Sequence, residues 1–445
     1  MDKKISKKEI IGLEEQFMND KNNVAYMNAI TSAGILKVSK VFNDSYHTKM
    51  TFSKEIKTSK VTAQNSSGRC WLFAGLNVLR HEIEKKLDIE NFELSQSYLM
   101  FYDKLEKANY FLESILDTLD LETSSRTVQH LLTHIVEDGG QWDMFCNLVK
   151  KYGVIPKDVM PESFHSSNSR MMNKLLIVKL REFAYQLRNK YNKKTPIEVL
   201  QGEKKQMINT IYDMLCKFLS KPIDKFDFEY TDKDDNYHID RNMDSVKFLE
   251  DVIKIDLDDY VSVINAPTTD KPFNRIYTVK YLGNIIEGNK IKYLNVDIDE
   301  MKQLTKKQLL DDEPTWFGCD VGQMSNSEDG VMSMGVYDFS IPLSTTFTMN
   351  KGQRLDYAES VLTHAMVFTG LNILEDGTIN RWKVENSWGE KRGKKGYFMM
   401  SDEWFNEYMY EVAINKKYLS KDLLDVLEEE VIELEPWDPM GSLAK

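Results

Sequence analysis

Residues 64–74 limit what this chain can fold into more than any other stretch, because they join a cysteine to the start of a helix. Beyond Cys70, apolar residues recur at steps of three or four: Leu72, Leu76, Leu79, Ile83 and Leu87. That spacing predicts one face of an α-helix. Ser66, Ser67 and Gly68 offer N-cap side chains and a flexible turn just upstream. The sequence therefore predicts a helix that begins at or next to Cys70.

Cys70 falls in the first turn of this helix, where unpaired backbone N–H groups and the helix dipole favour an anion. We expect a thiol in that place to ionise more easily than a free cysteine, and the thiolate is the nucleophilic form. The alternative is a packing role, because cysteine is among the most buried residue types. The helix start alone leaves both interpretations open.

The length and the charge of the chain bound its class. A chain of 445 residues exceeds one ordinary core, so we expect two or three domains. A formal net charge of −12 argues against nucleic-acid binding as the main function. No apolar run approaches the length of a membrane span, and no signal-peptide core follows the charged N-terminus. We therefore expect no membrane partner.

The cysteines indicate a compartment. Four are present, widely spaced and without a C-x-x-C pair: Cys70, Cys146, Cys216 and Cys319. This spacing argues against a disulfide framework and against a cysteine-type zinc site. We therefore expect a cytoplasmic protein with reduced thiols, no metal and no cofactor.

The chain changes from helical to β-rich near residue 259. Helices are predicted at 72–87, 127–137, 171–191 and 197–219. Short strands rich in aromatic and β-branched residues are predicted at 275–279, 292–296, 315–319, 365–374, 379–384 and 397–400. Ser401 is predicted to cap a helix that runs to about residue 414. These elements predict an α+β fold whose helical half carries Cys70.

Two patterns resemble metal sites, and neither is complete. Residues 230–236 carry oxygen ligands at alternate positions, as a calcium loop does, but Tyr237 stands where that loop requires glycine. His130 and His134 are four residues apart on one predicted helix face. No glutamate of a metalloprotease motif lies between them, and no third ligand is evident. We therefore predict no metal site at either place.

A nucleophilic cysteine needs a base and a group that orients the base. Among the seven histidines, His364 stands directly before a strongly predicted strand, and Asn386 follows the end of the next strand. Neighbouring antiparallel strands run side by side, so Asn386 could lie beside His364, where its amide oxygen would fix the imidazole tautomer. His81 lies on the Cys70 helix but about three turns from the thiol, and we expect it to be structural.

Several motifs follow one another along the chain: SGRCW at 67–71, GGQW at 139–142, WFGCDVG at 316–322, THAM at 363–366, NSWG at 386–389 and WDPMG at 437–441. Together they resemble the papain-like cysteine peptidases, and most closely the bleomycin hydrolase and bacterial aminopeptidase C branch. In the usual papain-like member the histidine and asparagine follow the cysteine by about 130–150 residues. The wider spacing here is explained by a helical insert and added loops.

The resemblance implies a catalytic role for each of five residues. Cys70 would be the nucleophile, a thiolate paired with the imidazolium of His364, and Asn386 would orient His364. Trp388 would shield their hydrogen bond from solvent. Gln64 would donate its side-chain amide to the oxyanion, together with the backbone N–H of Cys70.

The resemblance also implies a papain-like two-domain fold with added parts. An N-terminal helical extension at 1–60 and a helical domain with the cysteine at 61–164 would come first. An inserted helical oligomerisation subdomain at 165–258 would precede a β-rich domain with the histidine and asparagine at 259–436. Residues 437–445 would form a C-terminal arm in the active-site cleft.

The implied arm bears on specificity. Gly139 and Gly140 would line the substrate channel, and Ala444 and Lys445 would contact the substrate. The terminal carboxylate would pair with the α-ammonium of a peptide, so that cleavage counts from the N-terminus. The resemblance thus implies a cytoplasmic cysteine aminopeptidase that acts on peptides and assembles as a homohexamer.

Two other functions stay open on the sequence. One is a binding or regulatory cage, because some members of the resembled family bind nucleic acid, although the net charge of −12 argues against this here. The other is acyl transfer by the same cysteine and histidine, with an amine in place of water. Nothing in the residues separates transfer from hydrolysis.

Overall fold

The computed structural model describes residues 3–42, 49–253 and 255–444, so the predicted substrate contact Lys445 lies outside the described residues. The first half of the chain is mostly helical. Its elements are α1 (Lys7–Asn19), α2 (Lys21–Ala33), α3 (Ile35–Ser39), β1 (Lys54–Glu55), α4 (Cys70–Leu87), α5 (Gln96–Asp117), α6 (Arg126–Thr133), α7 (Trp142–Tyr152), α8 (Phe164–Ser167), α9 (Arg170–Asn192), α10 (Ile197–Leu219), β2 (Phe226–Thr231), β3 (Tyr237–Met243) and α11 (Ser245–Val252).

The second half contains most of the strands. Its elements are β4 (Tyr260–Ile264), β5 (Arg275–Val279), β6 (Tyr293–Asn295), α12 (Ile298–Leu310), β7 (Thr315–Cys319), β8 (Ser325–Asn326), β9 (Val331–Met332), α13 (Ser340–Leu343), α14 (Lys351–Asp356), β10 (His364–Ile373), β11 (Ile379–Glu385), β12 (Tyr397–Ser401), α15 (Asp402–Tyr408), β13 (Met409–Asn415), α16 (Lys421–Val426) and β14 (Ile432–Leu434). The predicted α+β class is therefore confirmed.

One large mixed sheet organises the second half. Its strand order is β14-β5-β6-β4-β13-β7-β10-β11-β12-β9-β8, with β1 paired to the free part of β10. Strand β10 runs antiparallel to both β7 and β11, and residues 374–378 close the tight turn to β11. Because β10 begins at His364 and β11 ends at Glu385, the two predicted site segments come to the same edge of the sheet.

Helix α4 is the element that carries the cysteine into the core. It begins at Cys70 and ends at Leu87, as its apolar spacing predicts. Its first turns are buried on nearly all sides, between the β10 strand and α7, and Gly75 leaves room for the ring of Phe145. A Cβ atom at position 75 would lie 2.7 Å from that ring, so the close approach of α4 and α7 requires glycine.

The inserted region 165–258 is not wholly helical. Helices α9 and α10 appear as predicted and pack against α5, with Leu180 and Ile211 fully buried. They are followed by the β2–β3 hairpin, which the sequence analysis did not predict. The acidic calcium-like stretch is the turn of this hairpin, where Asp232 accepts the backbone N–H groups of Asp234 and Asn236.

The helix predicted from Ser401 to about residue 414 is wrong in its second half. Ser401 does cap a helix, since its hydroxyl accepts the N–H of Trp404. That helix, α15, ends at Tyr408, and 409–415 form β13 between β4 and β7. Val412 pairs with Val263 on one side and with Phe317 on the other. Residues 409–415 are therefore extended because they pair with a strand on each side in the middle of the sheet.

Two further findings concern the helices. Helix α6 ends at Thr133, earlier than the predicted 137, and the chain then bends toward Gly139. None of the helices in the described ranges is long and apolar enough to cross a bilayer.

Candidate active site

The thiol of Cys70 lies at the first residue of α4 and is fully buried. The N–H of Ala365 points at Sγ, with 3.4 Å between nitrogen and sulfur, so the thiol rests against the start of β10. Burial raises the pKa of Cys70 to about 12, although the N–H groups of Ala365, Trp71 and Cys70 itself act in the opposite direction. The predicted fall in this pKa is therefore wrong, because desolvation outweighs the helix start.

The edge of the sheet brings His364 and Asn386 together. His364 is the first residue of β10, and Asn386 directly follows the last residue of β11. Nε2 of His364 lies 3.0 Å from Oδ1 of Asn386, and both side chains are buried. The strand order thus produces the contact that the sequence suggested.

The backbone of Ser387 fixes the proton on the imidazole. Its N–H donates to Oδ1 of Asn386 at 2.7 Å, and a backbone N–H can only donate. The atom at that position must therefore be the amide oxygen, which settles the orientation of the Asn386 amide. Nε2 of His364 then carries the proton that Oδ1 accepts, and Nδ1 is left as the basic nitrogen.

The indole of Trp388 covers this hydrogen bond. Its ring centroid lies 4.8 Å from that of His364, and it also meets the ring of Phe398, at 5.8 Å. An apolar cover excludes water from the His364–Asn386 bond and strengthens it. The position of Trp388 is the one that shielding requires.

Gln64 is held in one orientation by its neighbours. Its Oε1 accepts the hydroxyl of Ser387 at 2.7 Å, and its Nε2 donates to the carbonyl of Ser67 at 2.6 Å. The backbone N–H of Gln64 also donates to the carbonyl of Ser387, at 2.8 Å. Because an amide nitrogen has two hydrogens, one N–H of Gln64 remains for a further acceptor.

The two glycines of the predicted substrate channel have different surroundings. The carbonyl of Gly139 accepts a hydrogen bond from the ammonium of Lys107 at 2.6 Å, so its hydrogen-bond partner is a residue of the protein itself. Gly140 instead exchanges two backbone hydrogen bonds with Ala444, at 3.1 and 3.2 Å. A Cβ atom at Gly140 would lie 2.5 Å from the ring of Trp71, so only glycine fits between that ring and the tail.

The tail reaches Gly140 from two anchored residues. Asp438 forms a buried ion pair with Lys271, with 2.9 Å between oxygen and nitrogen. The ring of Trp437 stacks on the guanidinium of Arg126, 3.8 Å from its central carbon. Ala444, predicted to contact the substrate, lies fully buried at Gly140. Residues 437–444 therefore end at Gly140, which lies against the ring of Trp71, the residue after Cys70.

Comparison with known proteins gives the family. The family model described as Peptidase C1-like family matches residues 4–441. The chain belongs to the Peptidase C1-like family. An aminopeptidase C of Listeria monocytogenes is 48% identical over 88% of this chain and 88% of that protein. A bleomycin hydrolase of Mus musculus is 43% identical over 86% of each chain. The crystal structure of PepW from Lactobacillus rhamnosis is 44% identical, covers 100% of both chains and gives a TM-score of 0.98.

These similarities confirm two of the sequence-based expectations. The Peptidase C1-like chain has the papain-like α+β fold, since it superposes on PepW over its whole length. The resemblance to the bleomycin hydrolase and aminopeptidase C branch is also confirmed, because curated members of both names are similar over most of the chain.

Sequence reasoning missed two residues of this Peptidase C1-like site. Ser387 was not singled out, although it donates to Gln64 and to Asn386 and so joins the two segments. Its place directly after Asn386 was the available signal. Asp138 was also missed, and its place directly before the two glycines was the signal there.

The histidine pair His130 and His134 lies on α6 and directly after it. The rings are 4.7 Å apart, and His130 also meets the edge of Trp437. Burial, with help from His134, lowers the pKa of His130 to about 4. Within the described ranges no group of three metal-ligating side chains is found. The histidine pair therefore forms part of the surface on which the tail residue Trp437 packs.

Proposed function

We propose that this protein removes N-terminal residues from peptides by a thioester mechanism that uses Cys70, His364 and Asn386. The coarser class, a cysteine-type aminopeptidase, follows from the family and from the named relatives. The finer proposal rests on the pairing of Ala444 with Gly140. A tail bound there as a strand takes the place that a longer peptide would need upstream of the bond to be cleaved.

The mechanism begins with proton transfer from Cys70 Sγ to Nδ1 of His364. The thiolate attacks the peptide carbonyl carbon, and the oxyanion accepts the free N–H of Gln64 and the backbone N–H of Cys70. Nδ1–H then protonates the leaving amine as the C–N bond breaks, which leaves a thioester on Cys70. Nδ1 next takes a proton from water, whose oxygen attacks the thioester, and the proton returns to Sγ as the acid leaves.

Burial explains why the two groups must act as a pair. An isolated thiolate at Cys70 is disfavoured, since desolvation raises the pKa of the thiol to about 12. Transfer of the proton to His364 keeps the pair neutral overall, so both charges form together and stabilise each other. Asn386 supports this step because its Oδ1 accepts the Nε2–H, which makes Nδ1 the basic nitrogen of the ring.

The tail accounts for the choice of an N-terminal bond. Lys445 continues from Ala444, and its terminal carboxylate is proposed to capture the α-ammonium of the substrate. A blocked amine would leave that carboxylate unpaired, and such a loss costs about 2–5 kcal/mol when the charge is desolvated. Discrimination against N-acetylated peptides of about 10²-fold follows.

We further propose a cytoplasmic homohexamer. The exposed faces of the N-terminal and inserted helices support assembly, because α1 buries none of its residues and yet exposes Ile10, Ile11 and Leu13. Helix α9 exposes Met171 and Val178 in the same way. Apolar faces of this extent are typical of protein interfaces. Light scattering coupled to gel filtration gives the subunit number directly.

The test compares free and blocked substrates. The full chain is incubated with aminoacyl-amides and with their N-acetylated counterparts, and initial rates are measured. We expect the free amides to be cleaved about 10²-fold faster. Removal of residues 442–445 is expected to slow cleavage of free amides and to allow cleavage of blocked peptides. Equal rates on free and blocked substrates with the full chain would contradict the proposal.

Two cysteine variants control this test. Cys70→Ala is expected to abolish cleavage of every substrate. Cys216→Ala removes another free cysteine, which is only partly buried on α10, and should leave the rates unchanged. Residual cleavage by Cys70→Ala above the uncatalysed rate would assign the activity to another group.

A further inference from the structure

We propose that Asp138 is a positioning residue for the peptidase reaction, and that its carboxylate and carbonyl hold the Cys70 segment and the Gly140 segment in a fixed relation. The inference rests on the proposed function, because Asp138 acts through Cys70 and Gly140. Asp138 stands outside the cysteine, histidine, asparagine and glutamine that the mechanism uses.

The carboxylate of Asp138 is buried and accepts hydrogen bonds from three different parts of the chain. The backbone N–H of Gly68 donates to it at 3.0 Å, and the ammonium of Lys104 on α5 lies 2.7 Å away. The amide of Asn173 donates at 2.7 Å, and the hydroxyl of Ser169 also donates. The Cys70 segment, α5 and the start of α9 thus converge on one side chain.

The main chain of Asp138 makes a second contact with the Cys70 segment. Its carbonyl accepts the indole N–H of Trp71 at 2.7 Å. Gly68 and Trp71 lie on either side of Cys70 in sequence, so Asp138 holds the residues that flank the reacting thiol. Trp71 is also the ring on which Gly140 packs. A shift of Asp138 would therefore move the nucleophile and the Gly140 backbone that pairs with the tail.

The neighbouring glycine is held from the same helix. Lys107, one turn beyond Lys104 on α5, donates to the carbonyl of Gly139 at 2.6 Å and lies 5.1 Å from the ring of Trp71. Lys104 and Lys107 are the cations of α5 that face Asp138, whereas α9 contributes only the uncharged Ser169 and Asn173. The arrangement fixes Asp138 and Gly139 together against α5.

The charge of Asp138 works against the thiolate. Burial alone would raise the pKa of Asp138, but Lys104 and the hydrogen bonds from Ser169 and Gly68 outweigh it and hold that pKa well below its usual range. The resulting negative charge contributes to the raised pKa of Cys70. Because the electrostatic effect is unfavourable to the thiolate, any benefit of Asp138 to the reaction must come from position.

These two effects have opposite signs in the variant Asp138→Asn, and this allows a sharp test. In the full chain we expect kcat/KM for a free aminoacyl-amide to fall about 10²-fold, as for a misplaced substrate. At the same time the midpoint pH for alkylation of Cys70 by iodoacetamide, followed by mass spectrometry, should move to lower pH. Both changes together support the proposal. A kcat/KM within twofold of wild type, or a midpoint that stays or rises, overturns it.

The matched control is Asp402→Asn. The carboxylate of Asp402 pairs with the ammonium of Lys302, as that of Asp138 pairs with Lys104, and it also accepts the indole N–H of Trp382, but it lies at the start of α15. We expect no change in kcat/KM or in the alkylation midpoint. An equal loss in both variants would indicate a general effect on stability and would overturn a specific role for Asp138.

A second variant serves if Asp138→Asn does not fold. Asn173→Leu removes one donor to the carboxylate and leaves its charge, so we expect kcat to fall several-fold while the alkylation midpoint of Cys70 stays at its wild-type value. An unchanged kcat overturns the proposal. Alkylation is measured on Cys70 itself, so it reports on Asp138 even without turnover. Failure of the proposed function would appear instead as a wild-type protein that cleaves no aminoacyl-amide.

Discussion

Gly140 and Ala444 exchange both of their backbone hydrogen bonds, at 3.1 and 3.2 Å, although they lie in distant parts of the chain. This is the geometry of a hydrogen-bonded antiparallel pair. The end of the tail is therefore held by a backbone pair and not merely laid on the surface. Gly140 is also packed on Trp71, the residue after Cys70, so the pairing places the tail beside the segment that carries Cys70.

Replacement of Gly140 tests this geometry. In Gly140→Ala the new Cβ would lie 2.5 Å from the Trp71 ring, closer than atoms can pack, so the strand must move. We expect kcat/KM for free aminoacyl-amides to fall about 10²-fold. Gly202→Ala is the control, because nothing lies within 4 Å of its Cβ on α10. That variant should keep full activity and gain up to about 1 kcal/mol of stability.

The ion pair between Lys271 and Asp438 predicts how the tail is retained. Asp438→Asn keeps the side-chain oxygen that accepts the N–H of Met440 but leaves the buried Lys271 without this partner. Loss of one member of a buried pair costs about 3–5 kcal/mol. We expect a looser tail, with a lower rate on free aminoacyl-amides and a higher rate on N-acetylated peptides.

Asp270→Asn is the matched control for this anchor. Asp270 is the other partner of Lys271, but its side chain is mostly exposed and does not belong to the tail. We expect the ratio of rates on free and blocked peptides to stay at its wild-type value. If Asp438→Asn also leaves that ratio unchanged, the ion pair does not control the tail.

Much of the fold could be predicted from the sequence, because many elements have periodic patterns of their own. The strands at 275–279 and 315–319 and the helix at 197–219 occur within the predicted bounds. The β13 strand was missed because its residues suit a helix as well as a strand, and only its neighbours β4 and β7 decide. Packing of this kind has no local signal.

Contacts within the candidate site were easier to predict from the sequence than the pKa values of its residues. The contact between His364 and Asn386 follows from strand order, which the sequence indicated. The direction of the Cys70 pKa did not follow, because it depends on burial by distant segments. The sequence likewise could not show that Gly139 and Gly140 have different hydrogen-bond partners. The carbonyl of Gly139 accepts from Lys107, whereas Gly140 pairs with Ala444 of the tail, and both partners are distant in sequence.

Variants of Asn386 test the assignment of the imidazole proton. Asn386→Ala removes the acceptor of the His364 Nε2–H, so the ring loses its fixed tautomer and kcat is expected to fall about 10²–10⁴-fold. Asn386→Asp keeps an oxygen that accepts both that proton and the Ser387 N–H, so more activity should remain. Equal losses in the two variants would show that the acceptor at this position does not matter.

Gln64 offers a separate test of the oxyanion donors. Gln64→Ala removes the remaining amide N–H, and kcat should fall about 10²–10³-fold with little change in KM. Ser387→Ala keeps Gln64 but removes the hydroxyl that holds its Oε1, so we expect a loss of about tenfold. Steady-state kinetics on one aminoacyl-amide compares the two. A larger loss in Ser387→Ala than in Gln64→Ala would contradict this order.

The buried carboxyl of Glu411 predicts how stability depends on pH. Burial, together with Asp143, raises the pKa of Glu411 to about 8, although hydrogen bonds from Ser262 and from the backbone of Trp142 act in the opposite direction. The folded state therefore keeps a proton that the unfolded chain releases near pH 4.5. The contribution of Glu411 to the free energy of unfolding is full below that pH and falls as the pH rises to about 8, by at most about 1.4 kcal/mol per pH unit.

In Glu411→Gln the contribution of this residue to the pH dependence should disappear. Denaturant unfolding should therefore show the variant becoming more stable relative to wild type between pH 5 and pH 8. The exposed Glu433→Gln should follow wild type throughout, and a parallel curve for Glu411→Gln would refute the raised pKa.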